Sequence, residues 1–500
     1  MSPGIPEKAG SVSRRCRLFF GRFCAAAAGL LLLAGVLPAQ AAMGPQDARL
    51  LLERSGFSPT PEDIRAWSGY SREDAVERLL QEARQVRPPP LPPAETLDYL
   101  PPRSLRDLSG EARKAAQQRQ ARAAVALKAW WLEEMLATPS PLRERMTLFW
   151  HNHFVSSQQK VKSVALMAAQ NQLLRQHALG NFADLLHAVA KDPAMLVYLD
   201  SASSRKEQPN ENFAREVMEL FTLGEGHYGE HDIQEAARAF TGWSIEPASG
   251  AFRWRPFIHD RGVKTVLGES GNFDGDQVLD ILLRQPATAE FIVTKLWREF
   301  ISPQPDAAEV KRIAAAFRQS GYDIPTALRR LFLSPAFWSP ENRASLVKSP
   351  VELVVGSLRQ FRVTVPDATP LALLLARQMG QNLLAPPNVK GWPGGEAWIS
   401  SSLLLARQQY LDKLLRQGGR LLVRAALPEE GDEAGLRRHF QQALNTLRVD
   451  GDDWAVRCSA QGLEPAAALL PRGPVLVPPA GAHGSALVGA LLRDPVYQLK

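Results

Sequence analysis

The chain has only three cysteines, no block of lysine and arginine, and no apolar run as long as the roughly 20 residues a membrane helix needs. Each scarcity closes off a class of function. Cys16 and Cys24 fall in an N-terminal leader, so Cys458 alone would remain after its removal and no internal disulfide can form. Core packing must hold the fold, and 500 residues at 45% apolar composition suffice for a large core. The formal charge of +7 falls to about +3 once the leader's Lys8, Arg14, Arg15, Arg17, Arg22 and Glu7 are removed. So small a charge, spread without clusters, argues against a nucleic-acid partner. No G-x-S-x-G, H-E-x-x-H, P-loop, dinucleotide fingerprint or CxxCH is present, so nothing nominates a serine nucleophile, a nucleotide site or a covalent haem.

The leader itself is well formed. A basic start precedes the apolar run "FCAAAAGLLLLAGVL" (23–37) and the small-x-small sequence Ala39–Ala41, which predicts export with cleavage after Ala41. The Ala-x-Ala ending fits a peptidase better than an uncleaved anchor. Arg17 stands where the twin-arginine signal usually has an apolar residue, so the general secretory route is expected, with a periplasmic or secreted location. No transmembrane segment is expected after signal removal.

The rest reads as mainly α: a multi-helix globular body with a small β-hairpin insertion near 251–268 and irregular Pro/Gly-rich loops. Residues 1–41 are the signal peptide and 42–86 an N-terminal helical segment. The proline-rich "RPPPLPPAE" marks a strap or linker over 87–96, which cannot be helical. The main helical domain spans 97–417, and 418–500 is less regular with a final helix. Thr60 before Pro61 and Ser140 before Pro141 predict capped helix starts. Further helices are predicted at 163–178, 182–190, 193–199, 210–222 and 230–243. β-like alternation follows over 251–268, with a turn at Asp260-Arg261-Gly262. "VAKDPAML", "LFLSPAFW" and "LLRDPVYQ" each place Asp or Ser before Pro, a helix restart repeated along the chain.

Seven of the nine histidines lie between 151 and 259, and "FWHNHF" (149–154) holds two of them. On a helix, residues two apart point about 200° from one another, so His151 and His153 share an ion only if the helix has ended and the backbone is extended. Packing or C-capping is the competing role. In "PNENFAREVMELFTLG" (209–224), Glu216 borders the apolar stripe of Phe213, Val217, Leu220 and Phe221. It reads either as an acid–base or metal-binding carboxylate, or as the partner of an arginine such as Arg238. His227 follows in a glycine-flanked loop, and His259, Asp260 and Lys264 mark the hairpin. His151, His153, Glu216, His227 and His259 are therefore the catalytic candidates, with His151, His153 and Glu216 as the set that would hold a divalent metal. Asp274 in "GNFDGD" reads as the N-cap of the next helix, because the remaining ligands of a calcium loop are missing. The loop "GQNLLAPPNVKGWPGGEAW" (380–398) is too structured in composition to be a linker.

Taken together, "LLLERSGFSPTPEDI", "FWHNHF", "DPAMLVYLD", "PNENFAREVMELFTLGEGHY", "DIQEAARAFTGW", "HDRGVKTVLG", "GNFDGD", "VKSPVELVVG" and "APPNVKGWPGG" resemble the large bacterial family catalogued as domain of unknown function 1800. The resemblance runs from about Ala48 to Leu411 and resumes in the final "DPVYQLK". It implies an exported protein whose gene often neighbours a second exported family similar to sulfatases or alkaline phosphatases. It adds Trp150, Asn152, Asn212 and Trp243 to the motif positions, and as binding candidates Asn210, Glu211, Arg215, Glu235, Arg238, Asp260, Lys264, Asn388, Lys390 and Trp392. Gly229 departs from the pattern, where a Thr or Ser cap is usual. The expected function is a helical scaffold that binds the phosphatase-like neighbour or an envelope polymer through the Trp392 loop. The alternative is a metal- or acid/base-dependent hydrolase.

Overall fold

Helix boundaries in this chain are set by local chemistry, which the computed structural model shows for residues 41–500 apart from 93–96, 98, 102, 103, 105, 106, 364–368 and 416–448. The leader, the end of the proline-rich strap and the "PEEGDEAG" connection lie outside the described residues. Helix α1 (Gly44–Ser55) stops at Gly56, where a Cβ would meet Leu52 O at 2.9 Å and Pro141 Cβ at 3.0 Å. Only glycine allows that approach. Helix α2 (Pro61–Trp67) starts on a reciprocal cap: Thr60 Oγ1 accepts from Asp63 N at 3.2 Å, and Thr60 N donates to Asp63 Oδ2 at 3.0 Å. Helix α3 (Arg72–Gln85) buries Val76, Leu79 and Leu80.

The long helix α4 (Gly110–Ala137) buries Leu127, Trp131, Leu132 and Met135 in its second half. Helix α5 (Pro141–His153) is buried along almost its whole length and carries "FWHNHF". Contrary to expectation, the Ser140 hydroxyl does not cap it; the Thr138 hydroxyl donates to Ser140 O at 3.2 Å instead. A buried bidentate pair, Arg175 to Glu144 at 2.6 and 3.0 Å, ties α5 to α7 (Val164–His177), beyond the short α6 (Gln158–Val161). Helices α8 (Phe182–Ala190) and α9 (Pro193–Tyr198) follow, as predicted. The Asp/Ser-Pro restarts are real caps: Asp192 accepts from Met195 N at 2.9 Å, Ser334 from Phe337 N at 3.3 Å and Asp494 from Val496 N at 2.8 Å.

Helix α10 (Glu211–Glu216) continues as a π-helical turn, Val217–Thr222. Helix α11 (Glu230–Ala239) ends before 243 because Trp243 begins a strand. At its start Gly229 N donates to Asp232 Oδ2 at 2.8 Å, so half of a capping box survives without the usual hydroxyl. The β region holds two hairpins rather than one. β1 (Trp243–Ile245) pairs antiparallel with β2 (Phe252–Trp254), and β3 (Lys264–Val266) with β4 (Glu269–Gly271). Asp260-Arg261-Gly262 does turn, with Gly262 N donating to Asp260 Oδ1 at 2.7 Å, but it lies in the connection between the hairpins.

Helices α12 (Gly275–Arg284) and α13 (Pro286–Phe300) come next, α12 on a cap by Asp274 that accepts from Gln277 N at 3.0 Å. Then follow α14 (Ala307–Gln319), α15 (Ile324–Phe332), α16 (Pro335–Trp338), α17 (Pro350–Gln360), α18 (Thr369–Gln378) and α19 (Ser401–Leu415). The described C-terminal residues carry α20 (Gly451–Ala460), α21 (Pro465–Leu469) and α22 (Gly484–Arg493). The last residues pack back into the body: Lys348 N donates to Gln498 O and Lys500 N to Leu346 O, both at 2.8 Å. Residues 42–500 make one compact unit, and no described helix is long and apolar enough to cross a membrane.

Candidate functional site

One face of α5 presents Arg145, Leu148, Phe149, Asn152 and His153, spaced as a helical stripe, to a recess of about 510 Å³. The opposite wall comes from Lys295, Arg298 and Glu299 of α13, and the mouth from Lys390, Trp392, Gly394 and Gly395. Glu352 and Lys500 lie at its base. The lining thus carries five lysines and arginines against two glutamates. Arg145 pairs with both Glu299 and Glu352 through its two terminal nitrogens, and Lys500 also bonds Glu352. Lys390 reaches Glu219 and Glu225 only at 3.7 Å. Lys295 and Arg298 have no carboxylate partner among the described residues.

Lys295 is held by neutral acceptors. Its Nζ lies 3.0 Å from His153 Nδ1 and 3.1 Å from Leu220 O, with the Phe291 ring centroid 4.8 Å away. His153 Nε2 sits 3.1 Å from Phe221 O. A carbonyl only accepts, so Nε2 carries the imidazole proton and Nδ1 offers a lone pair to Lys295. Both carbonyls come from the π-helical turn, whose bonding pattern sends Leu223 N and Gly224 N to Met218 O at 2.8 and 3.2 Å. The carbonyl end of that helix faces the amine, a weakly negative environment that offsets only part of an ammonium charge. Burial, with Arg298 nearby, pulls the Lys295 amine down to about 8. Burial, then Lys295, holds His153 neutral, well below the usual imidazole range.

Asn152 couples "FWHNHF" to the Trp392 loop. Its Oδ1 accepts the Trp392 N–H at 2.7 Å. The same oxygen lies 2.3 Å from where a Cβ on Gly391 would stand, and Gly391 has φ +83°. Glycine is required there twice over, by close approach and by conformation. Asn388 builds the preceding turn, with its Oδ1 accepting Lys390 N at 2.9 Å.

His151 points the other way. Because α5 stays helical through His153, the two rings diverge, and His151 packs edge-on to Trp131 at 5.5 Å and against Trp392 at 5.6 Å. Its Nε2 is buried with no hydrogen-bond partner. Burial, with Lys128 adding to it, lowers this imidazole to about 3. Lys128 is itself lowered to about 8 by burial and Arg377, and donates to Asn382 Oδ1 at 2.7 Å.

The remaining candidates lie elsewhere. Glu216 is half-buried and pushed up by burial and by Glu219, with Lys390 opposing. It does not pair with Arg238, which bonds Asp260 at 2.7 and 3.2 Å and Glu235 at 2.8 Å. His227 is exposed in its loop. His259, in the connection between the hairpins, bonds back to the turn after α11, with Nδ1 2.9 Å from Thr241 O, and its ring lies 4.9 Å from that of Trp254. Lys264 is fully buried, its Nζ on Asp260 O at 2.5 Å and Gly262 O at 3.0 Å. These residues fasten the second hairpin to α11. Asn210 caps α10 by accepting Asn212 N at 2.9 Å, and Arg215 joins Glu211 to Glu230 on the surface. Of the predicted residues, the recess gathers His153, Lys390 and Trp392, together with Asn152.

Among the described residues, no three His, Cys, Asp or Glu side chains are arranged to hold a metal ion. His151, His153 and Glu216 do not form such a set: the two imidazoles diverge on one helix, and both ring nitrogens of His153 are occupied. Lys295 escaped the sequence reading. Its signal was a lysine bordering the apolar stripe of Ile292, Leu296 and Phe300 in "FIVTKLWREF".

No curated protein and no solved structure matches the chain. A family model described as "Protein of unknown function (DUF1800)" matches residues 50–499, and the chain belongs to that family.

Proposed function

We propose that the protein is an exported helical binding protein whose recess takes an anionic group, such as the carboxylate, phosphate or sulfate of an envelope polymer. The observation that carries this reading is the cation excess around a concave site, with Lys295 and Arg298 lacking carboxylate partners among the described residues. Lys295 is a partly buried cation held only by neutral acceptors, which is costly, and an anionic ligand offsets that cost directly. Export rests on the leader sequence, and a role beside a phosphatase-like neighbour rests on the family resemblance. Calorimetric titration with galacturonate and with neutral galactose at fixed ionic strength tests the binding. The acid is expected to bind and galactose not, with Arg298→Ala weakening the acid. Equal heats from both sugars would count against the proposal.

A second reading, an acid–base hydrolase, draws support from Glu216, whose raised carboxyl stands near Lys390 at the mouth of the recess. Glu216→Gln would abolish such an activity while leaving anion binding in place.

A further inference from the structure

A neutral lysine amine has two N–H bonds and one lone pair. At Lys295 both partners within hydrogen-bond reach are acceptors, His153 Nδ1 and Leu220 O, and they account for both N–H bonds. The Phe291 ring can stabilise a cation but offers no proton to the nitrogen. The lone pair is therefore left unengaged on a side chain that lines the recess. His153 is fixed as an acceptor toward Lys295 by its own bond to Phe221 O, so it is a positioning residue for the amine. One helical turn beyond, at i+3, stands Arg298, and across the mouth Lys390, both suited to a carboxylate.

We propose that Lys295 is a covalent capture site for an anionic aldehyde or ketone, whose carboxylate rests against Arg298 and Lys390 while its carbonyl carbon meets Nζ. The Nζ lone pair adds to the carbonyl carbon, forming the C–N bond, and the carbonyl π pair moves to oxygen. The C–O bond then breaks, and the oxygen leaves as water with the two hydrogens that began on the amine. The product is an imine, formed without an oxidant or reductant. The groups in contact with Nζ are His153 Nδ1 from α5, the Leu220 carbonyl from the π-helical turn and the Phe291 ring, while Arg298 and Glu299 from α13 and Lys390 from the loop share the recess. None of them anchors Nζ through a carboxylate, and the lowering of the amine to about 8 leaves part of it neutral near physiological pH. This inference rests on the anion-binding reading.

The test is glyoxylate with sodium borohydride on the full mature chain, read by peptide mapping. Reduction of the imine leaves one carboxymethyl group on the lysine that formed it. The expected result is a single, saturable modification at Lys295, slowed by galacturonate and reduced about tenfold in Arg298→Ala, the loss of one charge-assisted hydrogen bond. Lys128 is the internal control, since its amine is lowered comparably yet does not line the recess. Modification at Lys128, spread over exposed lysines, or absent altogether would overturn the inference. Galacturonate binding without modification would sink the capture step and leave the anion site standing; neither binding nor modification would sink both. The map of the parent chain decides the matter even if Lys295→Arg does not fold.

Discussion

Lys295 Nζ and His153 Nδ1 lie 3.0 Å apart, an amine facing a neutral imidazole with no carboxylate engaged by either among the described residues. The fold therefore carries an uncompensated cation beside its recess. Between about pH 8 and 10.5 the unfolded chain keeps the Lys295 proton while the folded chain has lost it, so stability rises with pH across that window. Below about 8 both states are protonated and the fold bears the full cost of the buried ammonium. Lys295→Met removes this dependence. The advantage of Lys295→Met over the parent, measured by urea unfolding, is expected to shrink by at most about 3 kcal/mol as pH rises through the window. A constant difference would show that Lys295 titrates normally.

The two histidines of "FWHNHF" act at the other end of the scale. Their folded forms are neutral, His151 down to about 3, so the unfolded chain binds more protons below about pH 6.5 and stability falls as pH falls. His151→Gln is expected to reduce the slope of unfolding free energy between pH 6 and 4 by about 1.4 kcal/mol per pH unit. An unchanged slope would mean that His151 titrates alike in both states.

Asn152 and Gly391 form one joint. Asn152→Ala leaves the Trp392 N–H without its acceptor and is expected to cost about 1–3 kcal/mol. Gly391→Ala adds a Cβ against Asn152 Oδ1 at a positive φ, and is expected to cost a similar amount through strain. The double variant should cost somewhat less than the two single costs together, because removing the Asn152 side chain relieves the 2.3 Å approach to Oδ1, while the Asn152 backbone carbonyl at 2.7 Å still crowds the new methyl. Simple additivity in denaturant unfolding would argue that the two positions are independent.

Arg238 holds the second hairpin through Asp260, Glu235 and Val263 O. Glu235 in turn accepts Thr265 N at 2.8 Å. Arg238→Ala is expected to lose about 1–2 kcal/mol and to speed amide exchange at Thr265 while leaving α5 protected. Uniformly faster exchange would point to global destabilisation instead.

What was legible in the sequence was local. The caps at Thr60, Asp192, Asp274, Ser334 and Asp494 follow from side chains that reach backbone groups two or three residues away. The divergence of His151 and His153 follows from helical geometry once α5 is known to run through His153. The rest depends on partners distant in sequence. Lys295 acquires its character from carbonyls of a π-helical turn more than 70 residues earlier. The alternation over 251–268 suggests one hairpin, whereas β1 precedes that stretch and pairs into it. Ser140 lost its cap role to geometry that the Ser-Pro pair does not encode.

The recess as an anion site stands or falls on the charge of one amine. Lysines labelled by reductive ¹³C-methylation, with the Lys295 resonance assigned through Lys295→Arg, report its titration by NMR with and without galacturonate. The account predicts a midpoint near 8 in the free protein that climbs when the acid binds, since an anion beside the amine favours its charged form. A midpoint near the ordinary lysine value of about 10.4, unmoved by the acid, would contradict it.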